Sequence, residues 1–160
     1  LGKVCQAWEE EALKASAVTS VAVFRLGIVL SKDGGALPRM MLPFRLGFGG
    51  RIASGKQGFS WIHIDDLINA YRFVVEKQLT GIFNLTSPGV TDNAGFTASL
   101  SRAMKRPALF PVPAFVLRLI FGEGATALTS GQKVLPERLT EEGFEFRYPK
   151  LDEALTELMY

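Results

Sequence analysis

The residues best suited to chemistry are His63, Asp65 and Asp66, Trp61, and the arginines at 45 and 51. An unperturbed imidazole titrates near neutral pH, so His63 invites a role as general acid or base. Its setting favours a structural one. Period-two alternation puts Trp61 and His63 on one face of an extended segment, with Ile62 and Ile64 on the other. His63 then stands just before a helix, where an imidazole can bond backbone and fix the turn. Asp65 and Asp66 look like a paired-carboxylate site, yet two acids at a helix start are what the macrodipole favours, with Asp65 placed to cap. Trp61 either walls a substrate pocket or fills the core. Arg45 and Arg51 flank the loop of Gly47, Gly49 and Gly50. Guanidinium forks match phosphate and carboxylate, which makes both candidates for an anionic substrate group; a solvated arginine is the commoner alternative. One cysteine, Cys5, and one histidine exclude a Cys/His zinc cluster, and no metal site is expected. No catalytic residue is assigned.

These side chains need elements to hold them. The chain opens directly into a helical pattern, with Cys5, Trp8, Ala12 and Ala15 three to four apart. Residues 20–25 (SVAVFR) read as a buried strand, and residues 31–35 as a turn. A helix follows over residues 36–46. Residues 57–64 (QGFSWIHI) read as a second strand, followed by a helix with Leu67, Ile68, Tyr71, Val74 and Val75 at helical spacing. GIFNL, from Gly81 to Leu85, is a third strand. A helix from about Asn93 carries Phe96, Leu100 and Met104 on one face. Beyond Arg106, prolines and the turns at Gly122, Gly131 and Gly143 replace strand–helix alternation, which predicts a small helical lobe.

Strand–helix–strand alternation argues for an α/β protein with parallel strands. Three strands are few for a doubly wound sheet, where about five or six are typical. No GxGxxG stands between a strand and a helix, and the glycines near Gly47 follow a helix instead. The expectation is therefore the C-terminal half of a larger protein whose other strands lie upstream, leaving a raw sheet edge prone to self-association. A net charge of +2, with basic residues scattered, gives no nucleic-acid stripe. The longest apolar stretch, near residues 112–121, is too short to span a bilayer. A single cysteine that cannot pair internally fits a reducing, cytoplasmic compartment.

Several motifs together resemble the extended short-chain dehydrogenase/reductase superfamily. Arg25-Leu26-Gly27-Ile28-Val29-Leu30 looks like its strand exit, Trp61-Ile62-His63-Ile64-Asp65-Asp66-Leu67 like its aromatic-His-Asp-Asp block, and Gly81-Ile82-Phe83-Asn84-Leu85 like the strand that follows. More narrowly, Cys5-Gln6-Ala7-Trp8-Glu9, Leu42-Pro43-Phe44-Arg45-Leu46-Gly47, Gly131-Gln132-Lys133-Val134-Leu135-Pro136 and Gly143-Phe144-Glu145-Phe146 resemble an epimerase-like branch with a C-terminal domain of unknown function. The resemblance implies the C-terminal part of a Rossmann-like doubly wound parallel sheet plus a small, mostly helical substrate lobe. Residues 1–30 and 57–86 would form the cofactor layer, and residues 31–56 and 87–160 the lobe. It also implies NADP or NAD as cofactor, with Gly27, Ile28 and Val29 at its nicotinamide end. Arg45, Arg51 and Trp61 would face a small-molecule substrate of the nucleotide-sugar kind. The implied partners are that substrate and the missing N-terminal half, with a homo-oligomer conceivable and neither nucleic acid nor membrane.

The superfamily's chemistry depends on Tyr-x-x-x-Lys, in which the phenol exchanges a proton and the lysine lowers its pKa. Aligned on Glu9, the opening helix puts Cys5 at the lysine position and Leu1 at the tyrosine position, with Lys3 off register. Neither Leu1 nor Cys5 can do that job. Two functions stand side by side: an NAD(P)-binding epimerase- or reductase-like protein, or a sensor or interaction protein that kept the fold and lost the dyad. A purely structural module is a third, and a partner-binding surface around residues 115–121 a weaker fourth.

Overall fold

Two short strands separated by a single glycine set the architecture. In the computed structural model, which describes residues 2–109, 111 and 131–160, β1 (Ala22–Leu26) pairs in parallel with β5 (Gly81–Leu85). One residue later β2 (Ile28–Leu30) pairs in parallel with β4 (Trp61–His63) instead. A third pair, β3 (Gly58–Phe59) with β6 (Thr91–Asp92), is antiparallel. The helices are α1 (Gly2–Lys14), α2 (Ala36–Arg45), α3 (Ile64–Glu76), α4 (Asn93–Met104), α5 (Glu137–Glu141) and α6 (Leu151–Met159). Parallel pairs with helical connections make this an α/β protein, as the sequence predicts.

The differences from expectation have local causes. The first strand starts two residues later than predicted, at Ala22, and the chain resumes pairing after Gly27 with a different partner. The expected strand over residues 57–64 breaks at Ser60, and Ile64 already belongs to α3. The α3 N-cap is His63, not Asp65: its Nδ1 accepts the Asp65 N–H at 3.1 Å. Of the predicted apolar stripe on α3, Leu67 and Val74 are buried beside Ala70, whereas Ile68 and Val75 are 51% and 71% exposed. They flank the buried stripe rather than lying on it. No residue of α1 is buried, and Trp8 is 71% exposed, so its apolar face has no cover among the described residues. The predicted turn at Gly122 and the apolar stretch over residues 112–121 lie outside the described residues. Among those described, no helix is long and apolar enough to cross a membrane.

Alternation along β4 divides the interior in two. Ile62 points into a core with Leu67, Val74, Phe83, Leu85 and Leu139. Trp61 points into the other, with Leu30, Leu37, Phe96, Leu100 and Leu155.

The C-terminal segment is tied down at the start of α3. Asp66 is 1% exposed, and its carboxylate accepts the backbone N–H groups of Arg147 at 2.8 Å and Tyr148 at 2.9 Å. Beside it, His63 turns Nε2 toward the Glu157 carboxylate of α6 at 3.0 Å, and its ring lies 4.0 Å from that of Tyr148. Since Nδ1 accepts, the uncharged imidazole carries its proton on Nε2 and donates to Glu157. The capping carboxylate expected of Asp66 is thus a long-range clamp.

The outer edge of β5 is closed by one side chain. Arg138, from α5, donates to the carbonyls of Thr80 and Ile82, and its guanidinium lies 4.3 Å over the Phe83 ring. Gly81 makes room for it: φ is +96° there, and a Cβ would run into the guanidinium. Within the β1–β5 pair, the predicted raw edge is therefore confined to the far side of β1.

Replacing Asp66 by Ala removes the acceptor for two amides at once. The expected loss is about 2 kcal/mol in chemical denaturation of the full-length protein, with earlier proteolysis after residue 143. Arg138→Ala should cost about 1–2 kcal/mol in the same experiment, and sedimentation velocity should show more self-association than in the parent.

Candidate functional site

In open α/β sheets, ligands bind outside the carboxyl ends of the parallel strands. Here β1 ends at Leu26 and β5 at Leu85, side by side in register. Gly27 follows β1 and stands where three segments meet. Its N–H donates to Leu85 O at 3.0 Å, and the next N–H, of Ile28, donates to Ser60 O at 2.8 Å. A Cβ on Gly27 would lie 3.0 Å from both Ser60 O and Thr86 Cγ2. Crowding by the Ser60 backbone and the Thr86 methyl thus favours glycine at this position. The Ile28 N–H is thus engaged within the protein by Ser60. The side chains of Ile28 and Val29 are half-buried, packed against opposite cores. Leu26 leaves 53% of its surface exposed at the strand end.

Ser60 and Thr86, neither of them predicted site residues, carry a second layer across these ends. Ser60 Oγ donates to Gln132 O at 2.7 Å and accepts the Val134 N–H at 2.9 Å. Thr86 Oγ1 donates to Val134 O at 3.1 Å, and Asn84 Nδ2 to Leu135 O at 3.3 Å. Close approach is possible because both facing residues are glycines: a Cβ on Gly58 would sit 2.5 Å from Gln132 C, and one on Gly131 would overlap Gly58 O. The signal available in the sequence was the Gly131-to-Pro136 motif, but its docking surface lies between 48 and 74 residues away and shows no periodicity.

The other candidates are dispersed. Trp61 is fully buried, and its indole N–H donates to Gly89 O at 2.9 Å. It has no surface to offer a substrate, so the core role replaces the pocket-wall one. Arg51 lines a cavity of about 590 Å³ with Thr97, Ser101, Arg102, Leu109 and Pro111. The loop carrying it is fixed to α4 by the Ile52 N–H, which donates to Asn93 Oδ1 at 2.7 Å, and by the Ala94 N–H, which donates to Gly55 O at 2.9 Å. Arg102 is already committed, reaching both carboxylate oxygens of Asp152 at 2.8 and 3.0 Å. The Asp152 carboxyl is held below the usual carboxylate range, first by the Ser99 hydroxyl and then by Arg102. Arg51 has no such ion pair among the described residues. Arg45 ends α2 in an exposed position and does not line this cavity.

On α1, Glu9 accepts from the Arg25 guanidinium through both carboxylate oxygens, at 2.7 Å from Nε, which fixes the helix on β1. That hydrogen bond holds the Glu9 carboxyl below its ordinary range and raises Arg25. Cys5, one turn earlier, is exposed with a free thiol.

The family described as a domain of unknown function, DUF1731, matches residues 112–158. The Arabidopsis thaliana protein named epimerase family protein SDR39U1 homolog, chloroplastic, is 44% identical over 160 residues, covering 99% of this chain and 46% of the relative. The human epimerase family protein SDR39U1 (isoform 2), solved with NADPH, superposes with a TM-score of 0.84 at 40% identity, over 88% of this chain and 48% of that one. A nucleoside-diphosphate sugar epimerase from Corynebacterium glutamicum gives a TM-score of 0.75 at 32% identity, over 99% of this chain and 30% of that one. The chain spans about half the length, or less, of these relatives. With its parallel strand pairs, its strand-exit glycine and its C-terminal match, the chain belongs to the epimerase-like branch of the extended short-chain dehydrogenase/reductase superfamily that carries a DUF1731 domain.

Proposed function

We propose that this chain is the nicotinamide-side and substrate-side portion of an NAD(P)-binding epimerase- or reductase-like protein acting on a small molecule of the nucleotide-sugar kind. The observation that carries the reading is the meeting of Gly27, Ser60 and Thr86 at the carboxyl ends of β1 and β5. That is the place where an open α/β sheet binds its ligand, and the human relative was solved with NADPH. The residues fit such a group in part: the exposed Leu26 offers apolar surface beside the strand exit, while the Ile28 N–H is engaged by Ser60. A bound nicotinamide supplies hydride acceptance and donation. The chain's own residues supply a closed strand end and an apolar contact, and Arg51 supplies a cation at a separate cavity along α4.

In this reading residues 1–30 and 57–86 form the cofactor layer, and residues 31–56 and 87–160 the substrate lobe. The division is supported by the two cores on opposite sides of β4. It is crossed in both directions, since Leu139 and Phe144 pack on the cofactor side and Leu30, Phe59 and Trp61 on the lobe side. Arg51 is the substrate contact that the cavity supports best, because it brings a cation with no ion pair among the described residues to a lining of Thr97 and Ser101 hydroxyls.

A second reading, cofactor binding without turnover, is favoured by one specific observation. On α1 the dyad lysine position holds Cys5, exposed and uncharged when protonated. NADPH titration of full-length protein, followed by nicotinamide fluorescence, should saturate in either case; an absence of binding overturns both readings. Oxidation or reduction of the bound cofactor with a panel of nucleotide sugars separates them. Arg51→Gln should weaken binding of an anionic nucleotide sugar by about tenfold, leaving NADPH affinity within about twofold. Equal loss for both ligands would place Arg51 at the cofactor instead.

A further inference from the structure

We infer that Lys133 is a phosphate-binding residue mounted over the carboxyl ends of β1 and β5, reaching an anionic oxygen of whatever lies beside Gly27. The inference deepens the cofactor reading and rests on it for the location of the ligand.

The case begins with how the lysine is held. The peptide groups on either side of Lys133 are both engaged by one hydroxyl: Ser60 Oγ donates to Gln132 O at 2.7 Å and accepts from Val134 N–H at 2.9 Å. The next carbonyl, of Val134, accepts from Thr86 Oγ1 at 3.1 Å, and that of Leu135 from Asn84 Nδ2 at 3.3 Å. Four successive residues of an otherwise irregular segment are thereby fixed by side chains from the β3–β4 junction and the end of β5. Two glycines, Gly58 and Gly131, bring the backbones together so closely that neither tolerates a Cβ without displacement. Such an arrangement fixes a backbone against a sheet end more firmly than a loop of this length needs merely to cross it.

What the clasp presents is polar and uncommitted. Gln132 and Lys133 are both exposed, and neither side chain has a hydrogen bond or ion pair among the described residues. The clasp's two anchors, Ser60 and Thr86, are the same residues that crowd Gly27. A lysine ammonium is a compact point charge suited to phosphate, and a pre-fixed backbone lowers the ordering cost of using it. On a chain without lysine at the α1 dyad position, Lys133 is also a cation that the fold brings to this end of the sheet.

One ligand chemistry here has two sources, the diphosphate of the cofactor or a phosphate of the substrate. The test measures, on full-length protein and on the Lys133→Ala and Lys133→Arg variants, the dissociation constants of NADPH, of inorganic pyrophosphate, and of inorganic phosphate added to NADPH-loaded protein. A cofactor contact predicts that Lys133→Ala weakens NADPH and pyrophosphate by about tenfold, with Lys133→Arg within about threefold of the parent. A substrate contact predicts unchanged NADPH and pyrophosphate binding, with phosphate binding to the loaded protein lost in Lys133→Ala and retained in Lys133→Arg. Identical constants for all three probes in parent and Lys133→Ala, with matching thermal unfolding, overturn the inference. If the parent itself binds no NADPH, the cofactor reading fails separately. The pyrophosphate and phosphate constants, measured then without NADPH, decide the role of Lys133: loss in Lys133→Ala supports it, and no change overturns it.

Discussion

The strand end beside Gly27 depends on two adjacent amides bonding to two different strands. Gly27 N–H goes to Leu85 and Ile28 N–H to Ser60, so the chain leaves one parallel pair and enters another within a single residue. Backbone groups must be bonded when buried, and a change of partner normally takes a loop. Here it is achieved without one, because a residue lacking Cβ lets Ser60 O and Thr86 Cγ2 come within 3.0 Å of where that atom would be. The sheet end, the β3–β4 junction and the start of the segment after β5 are thereby drawn to one point. The second layer, residues 131–136, is built on the same two side chains.

The start of α3 does comparable work for the other half of the chain. Two neighbouring residues, one capping the helix from its own turn and one reaching across more than eighty positions, hold the approach to α6. A buried carboxylate is tolerated there because backbone amides satisfy it. The same short stretch therefore fixes a helix, a loop and the C-terminal segment, with both His63 ring nitrogens hydrogen-bonded inside the fold.

Much of this was legible in the sequence wherever a signal repeats along the chain. GIFNL gave its strand to the residue, α4 emerged with its buried face of Phe96 and Leu100, and alternation placed Trp61 and Ile62 in opposite cores. What could not be read was pairing at a distance. Ser60 and Thr86 are small polar residues of no particular pattern until residues 131–136 lie against them. Asp66 looked like a capping acid because its true partners, two backbone amides, have no sequence signature at all. Trp61 stood between pocket and core, and only the Gly89 carbonyl at 2.9 Å decided it. Arg45 and Arg51 looked equivalent as loop-flanking cations. The tether of Ile52 to Asn93 is what sets Arg51 on a cavity wall and leaves Arg45 in solvent.

The guanidinium laid along β5 has a consequence for how this sheet can grow. Hydrogen-bonded strand addition is a polymerisation, and an open-ended one requires two reactive edges per unit. Arg138 blocks the acceptors of one edge and Gly81 gives it the space to do so, leaving β1 with the reactive edge of its pair with β5. For the β1–β5 pair, growth is therefore one-sided: strands from the rest of the protein, or from a second copy, extend it outward from β1 and not from β5.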